Sequence, residues 1–155
     1  MFKKILVPVD GSEPSWQALE YAGKIGEKFM SEILVCHIIQ PFYNAGFLAI
    51  PVDNGLLAAQ MDDMKVNAQS ILDIAKDKLS SYPATISTKV ETGHPSERIL
   101  SLAAEEHCDS IVIGSRGLSG IAEFVLGSVS SNVAQYAHIP VLIVKSDKED
   151  EKKKK

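Results

Sequence analysis

Five short strand-like runs, Lys4–Val9, Glu32–Ile39, Thr85–Glu91, Asp109–Gly114 and Val141–Val144, alternate along the chain with stretches whose apolar residues recur every three or four positions. That alternation restricts the fold more than any other feature. Most of the runs are continuously apolar and β-branched, the habit of strands buried on both faces in a parallel sheet covered by helices. Thr85–Glu91 is different: it alternates apolar with polar residues, as a strand near a sheet edge does.

The intervening stretches predict four helices. Trp16, Leu19, Ala22, Ile25 and Phe29 share one helical face, with Ser12 placed as N-cap and Pro14 tolerated in the first turn. Leu57, Met61, Met64, Ala68, Ile71, Ala75 and Leu79 form the strongest periodic stripe and predict a long helix after a loop over Pro41–Asp53. A turn at Thr92–Pro95 introduces a third helix, Ser96–Glu106, with Ile99, Leu102 and Ala103 inward. The fourth helix starts at Ser128 and runs to about Ala137. The expected fold is therefore a single α/β domain over residues 1–145, a doubly wound five-stranded parallel sheet with helices on both faces. Residues 146–155 form a charged tail without an apolar residue, predicted to be disordered.

Charge and composition remove several function classes. Sixteen basic against twenty acidic residues give a net charge of −4, which repels a nucleic-acid backbone. No run approaches the roughly eighteen apolar residues a membrane helix needs. Pro8 and Asp10 cut the basic-then-apolar start far too short for an export signal. Cys36 and Cys108 make no CxxC pair, so neither a disulfide framework nor a zinc site is expected, and a reducing cytoplasm fits.

In an open parallel sheet a ligand sits beyond the carboxyl ends of the strands, where successive crossovers leave in opposite directions. Two turns compete for that place. One is Asp10-Gly11-Ser12; the other is Gly114-x2-Gly117-x9-Gly127-Ser128, which opens a helix whose free N–H groups favour an anion. Neither common nucleotide fingerprint is present, since no GxGxxG follows the first strand and no lysine precedes Ser128. Each residue also has a plainer role open to it: Asp10 as turn chemistry, Ser12 as a helix cap, Gly127 as a hinge, His37 as a satisfied core histidine, His94 as part of a turn. His107, Cys108 and His138 lack metal-ligand spacing. No GxSxG elbow is present, and the first strand lacks the acidic pair of a phosphoacceptor receiver domain, so no catalytic residue is assigned.

Taken together, the glycine motif, the opening Ile5-Leu6-Val7-Pro8-Val9-Asp10-Gly11-Ser12, His37-Ile38, Gly93-His94-Pro95 and the closing Pro140–Val144 resemble the universal stress protein family, over residues 2–145. The resemblance implies strand order 3-2-1-4-5 in a Rossmann-like, adenine nucleotide alpha hydrolase-like fold, and a site for ATP. Within that site it sets Pro8, Val9 and Asp10 against adenine and ribose, and the Ile38 backbone on the adenine edge. Ile113 and Gly114 would line the ribose. Arg116 and Gly117 would meet phosphates, with Gly127, Ser128, Val129 and Ser130 holding the triphosphate; Ser12 stands between phosphate contact and capping. Magnesium or manganese, bridging the phosphates, is compatible with the family. The implied function is a nucleotide-dependent regulatory or stress-response module. The alternatives are a nucleotide-free dimeric interaction protein and a slow ATPase. The family also implies a homodimer through residues 141–144, whose apolar row would otherwise be an open edge.

Overall fold

The computed structural model describes residues 1–41, 53–117 and 126–145. The strands are β1 (Lys4–Pro8), β2 (Glu32–Ile39), β3 (Ile86–Thr92), β4 (Ser110–Gly114) and β5 (Val141–Val144), and the helices are α1 (Glu13–Phe29), α2 (Asn54–Lys78), α3 (Pro95–Glu105) and α4 (Ser128–Tyr136). All pairings are parallel and the order is β3-β2-β1-β4-β5, so the expected doubly wound sheet is what the chain forms. Residues 42–52 of the predicted loop, most of the glycine-rich stretch and the tail lie outside the described residues.

Strand alternation sorts the core into two layers. Ile5, Val7, Ile33, Val35 and Val112 face α1 and α2, and pack with Leu19, Ala22, Leu72 and Ala75. Leu6, Leu34, Cys36, Ile111 and Ile113 face α3 and α4, and pack with Ile99, Leu102 and Val133. The chain moves outward from β1 to β3 on the first face, then returns on the second. The switch point therefore falls between β1 and β4.

Two predicted apolar faces are only partly buried. In α2, Ala68, Ile71, Ala75 and Leu79 are inward, but Leu57 is 45% exposed because the first three turns extend past the sheet. Phe29, at the end of α1, is exposed and leans on Phe2 with ring centroids 5.4 Å apart. Strand β5 departs from expectation as well: Val144 is buried against α1, Val141 and Ile143 are half-buried against α4, and only Leu142 is exposed. Most of its apolar row is thus explained by packing within the chain.

Candidate functional site

Strand β1 parts from β4 at Pro8. The N–H of Val9 points to β2, where it meets the Cys36 carbonyl at 2.8 Å, so residue 8 faces β4, and a proline there has no N–H for the next rung. Pairing of β1 with β4 accordingly stops at Leu6↔Ile111. A cavity of about 880 Å³ lies beyond this gap, within the range of roughly 300–1,000 Å³ usual for small-molecule sites.

After Val9 the chain turns through Gly11, whose φ of 86° is the left-handed region that glycine tolerates. The turn fixes Asp10. Its Oδ1 accepts the Ser12 N–H at 2.9 Å and the Ser12 hydroxyl. The Ser12 Oγ also accepts the Ser15 N–H, capping α1. Ser12 is buried and absent from the cavity wall, so it acts on the site only through Asp10. Every other predicted site residue lines the cavity: Pro8, Val9, Asp10, Ile38, Ile113, Gly114, Arg116, Gly117, Gly127, Ser128, Val129 and Ser130.

The glycines of the β4 motif have distinct physical reasons. A Cβ on Gly114 would lie 2.7 Å from the Pro14 carbonyl carbon and 2.9 Å from the Ser15 nitrogen, so this glycine lets the first turn of α1 rest on the end of β4. A Cβ on Gly117 would lie 2.6 Å from Asp10 Oδ2, and the bare backbone leaves room for that carboxylate. Gly127 is tight against the Ser115 carbonyl, at 3.3 Å. The Ser115 oxygen accepts both the Gly127 N–H and the Ser130 hydroxyl, each at 2.7 Å, clamping the start of α4 to the end of β4.

Alone among the four described helices, α4 has neither a side-chain N-cap nor an acidic residue in its first turn, whereas α1 has Ser12, α2 has Asp53 and α3 has Glu97. Its N-terminal amides and positive dipole end therefore face the cavity uncompensated by a side-chain anion. Such an end suits a phosphate. Asp10 is the one carboxylate on the described wall, and no cluster of three His, Cys, Asp or Glu exists among the described residues. The described protein groups alone make no divalent-metal site, so among them such an ion would depend on ligand oxygens.

Sequence reasoning missed a second wall. Met64 and Asn67 of α2, Gln40 after β2, and Pro95 and Ile99 of α3 also line the cavity. Met64 and Ile99 read as ordinary core-facing positions and Asn67 as helix surface, and the long reach of α2 over the strand ends carries Met64 and Asn67 there. His37, expected as a core residue, is half-buried on the same wall, with Nδ1 2.8 Å from the Val9 oxygen. Away from the site, burial pushes the Cys108 thiol up to about 11 and raises the Cys36 thiol further, so neither is a nucleophile. No helix of the described residues is long and apolar enough to cross a membrane.

Comparisons with known proteins agree with this architecture. YxiE, a universal stress protein of Bacillus subtilis, is 33% identical over 150 residues, covering 94% of this chain and all of the relative. The solved structure of MJ0577, from Methanocaldococcus jannaschii, superposes with a TM-score of 0.84 at 27% identity, covering 95% of this chain and 98% of that one. A universal stress protein solved in complex with cAMP superposes at 0.67 with 32% identity, covering 92% and 96%. The sequence profile of the universal stress protein family matches residues 1–145, and the chain belongs to that family.

Proposed function

We propose that this protein binds ATP at the crevice between β1 and β4 and acts as a nucleotide-dependent regulatory or stress-response module. The observation that carries the reading is one cavity with two chemically different ends. One is formed by the β2 backbone around Ile38 and the apolar Val9, Ile39 and Ile71, the other by the uncompensated start of α4 with Gly127. The first suits a flat base that is polar at its edge, and the second suits phosphates. Adenine is favoured because the Ile38 N–H can donate to N1 while its carbonyl accepts from the 6-amino group. A relative 32% identical to this chain has been solved with cAMP, which carries the same base.

In this reading Asp10 accepts from a ribose hydroxyl, Pro8 and Val9 floor the base, and Ile113 and Gly114 flank the sugar. Arg116 and Gly117 approach the phosphates, and Gly127, Ser128, Val129 and Ser130 present amides to them. Magnesium or manganese would enter on the phosphates. The cavity wall offers no lysine and no carboxylate besides Asp10 among the described residues, so binding rather than rapid hydrolysis is its chemistry. Residues 1–145 would make up the binding domain, the chain would pair with a second copy along β5, and two buried thiols suit the cytoplasm.

The test is to denature the purified protein, identify released nucleotide by chromatography, and titrate emptied protein with ATP, cAMP and GTP calorimetrically. ATP is expected to be recovered and to bind more tightly than cAMP. Failure to bind any adenine nucleotide would overturn the proposal.

A further inference from the structure

The β1–β2 ladder ends one rung early. Bonds from β2 to β3 use odd residues of β2, as in Ile33 N–H to Thr85 and Gly93 N–H to Ile39. Bonds from β2 to β1 use even ones, as in Glu32 N–H to the Lys3 oxygen and the Cys36 oxygen receiving Val9 N–H. Continuing the series, Ile38 N–H would donate to the Val9 oxygen. Among the described residues that rung is missing, and the Val9 oxygen lies instead 2.8 Å from His37 Nδ1. A carbonyl oxygen cannot donate, so Nδ1 carries the proton.

We propose that His37 is a positioning residue for the base: by donating to the Val9 oxygen it takes the place of Ile38 N–H in the ladder and leaves that amide to face the cavity as a hydrogen-bond donor. The imidazole satisfies a carbonyl that would otherwise compete for the amide, and it does so from a side chain on the cavity wall. An adjacent N–H and C=O on one residue then present a donor and an acceptor side by side. Adenine matches that pair through N1 and its 6-amino group. Guanine, held by the same ribose contacts, offers N1–H and O6, with donor and acceptor exchanged. The inference rests on the proposed nucleotide site, but its first half concerns the ladder alone.

Two measurements keep the halves apart. In the nucleotide-free wild type, amide hydrogen exchange should find Ile38 exchanging at least about tenfold faster than the ladder amides of Leu34 and Cys36, and His37→Phe should slow Ile38 by letting the rung form. A protected Ile38 amide in the wild type would overturn the inference whether or not any nucleotide binds, and requires no variant to fold. Calorimetry then compares ATP with GTP. His37→Phe should lose about tenfold or more in ATP affinity with little change for GTP, whereas His37→Asn, whose amide nitrogen donates at the same distance from Cα, should retain the preference. Equal loss for both nucleotides would reduce His37 to a structural role. A wild type that binds neither defeats the nucleotide site and the adenine half together, while the exchange comparison still decides the ladder half.

Discussion

At Gly117 two side chains compete for one volume, and only one of them can exist. Asp10 Oδ2 occupies the position a methyl would need, at a separation of 2.6 Å, and Ser12 already holds the other carboxylate oxygen. Gly117→Ala should therefore displace Asp10 and lower ATP affinity about tenfold, near 1.4 kcal/mol. Asp10→Ala should cost about 1–3 kcal/mol through loss of a charged hydrogen bond. A double-mutant cycle by calorimetry checks the mechanism: the two losses should fall well short of adding, because the alanine at 117 harms only a chain that still has the carboxylate. Full additivity would mean that Gly117 serves the phosphates directly. The glycine spacing was legible in the sequence, and so was the placing of Asp10 beside it on the cavity wall. That Gly114 and Gly117 face the β1–α1 turn was not, because a close approach between segments a hundred residues apart leaves no local periodicity.

Helix α1 is held against the end of α2 by a second close approach. Gly26 carries no Cβ where one would stand 2.2 Å from the Tyr82 hydroxyl, and that hydroxyl donates to the Ser31 oxygen at 2.6 Å. Alanine normally stabilises a helix relative to glycine by roughly 0.5–1 kcal/mol, but here it should evict the tyrosine and orphan the carbonyl. Gly26→Ala is expected to destabilise by about 1–3 kcal/mol in urea unfolding. At the opposite edge, Glu106 after α3 pairs with Lys89 of β3 and with Lys4 of β1 at 3.1 Å, and Arg98 of α3 holds Glu105 at 2.8 Å. These hydrogen bonds keep both carboxyls below the usual glutamate range. Because the folded values are lowered, the contribution is fully present above pH 4.5, the ordinary value, and is lost as pH falls through the lowered ones. Thermal melts should show a midpoint falling with acidification below that pH, and Glu106→Gln should flatten the dependence. Helices α1, α2 and α3 were readable from apolar spacing, and α4 from its start at Gly127-Ser128. The exposed start of α2 was not, since its stripe continues unchanged past the point where the sheet beneath it stops.

On the scale of the whole molecule, β5 pairs with β4 alone among the described strands, and no other described strand meets its outer backbone groups. A homodimer formed by pairing this strand with its copy would cover them. Since Val144 is 6% exposed and belongs to the core, a lysine there would unfold the domain rather than report on assembly. Leu142, 40% exposed, is the informative position. Light scattering should give twice the chain mass for the wild type at micromolar concentration and a shift toward the monomer for Leu142→Lys, with unchanged circular dichroism. A monomeric wild type would refute the dimer.

Ser115 joins the cavity mouth to the end of β5. Its oxygen receives the Gly127 amide and the Ser130 hydroxyl at the mouth of the cavity, while its N–H donates to the Val144 oxygen at the end of β5, at 2.8 Å. One residue thus ties the anion-facing helix to the outermost strand, through the two peptide planes that meet at its Cα. If filling the cavity moves that residue, assembly and ligand affinity become reciprocal quantities, each altering the other by the same factor. The protein would then read its own abundance: ATP titrations above and below the dimer dissociation range should give different affinities, and dimer strength should differ with and without nucleotide by the same ratio.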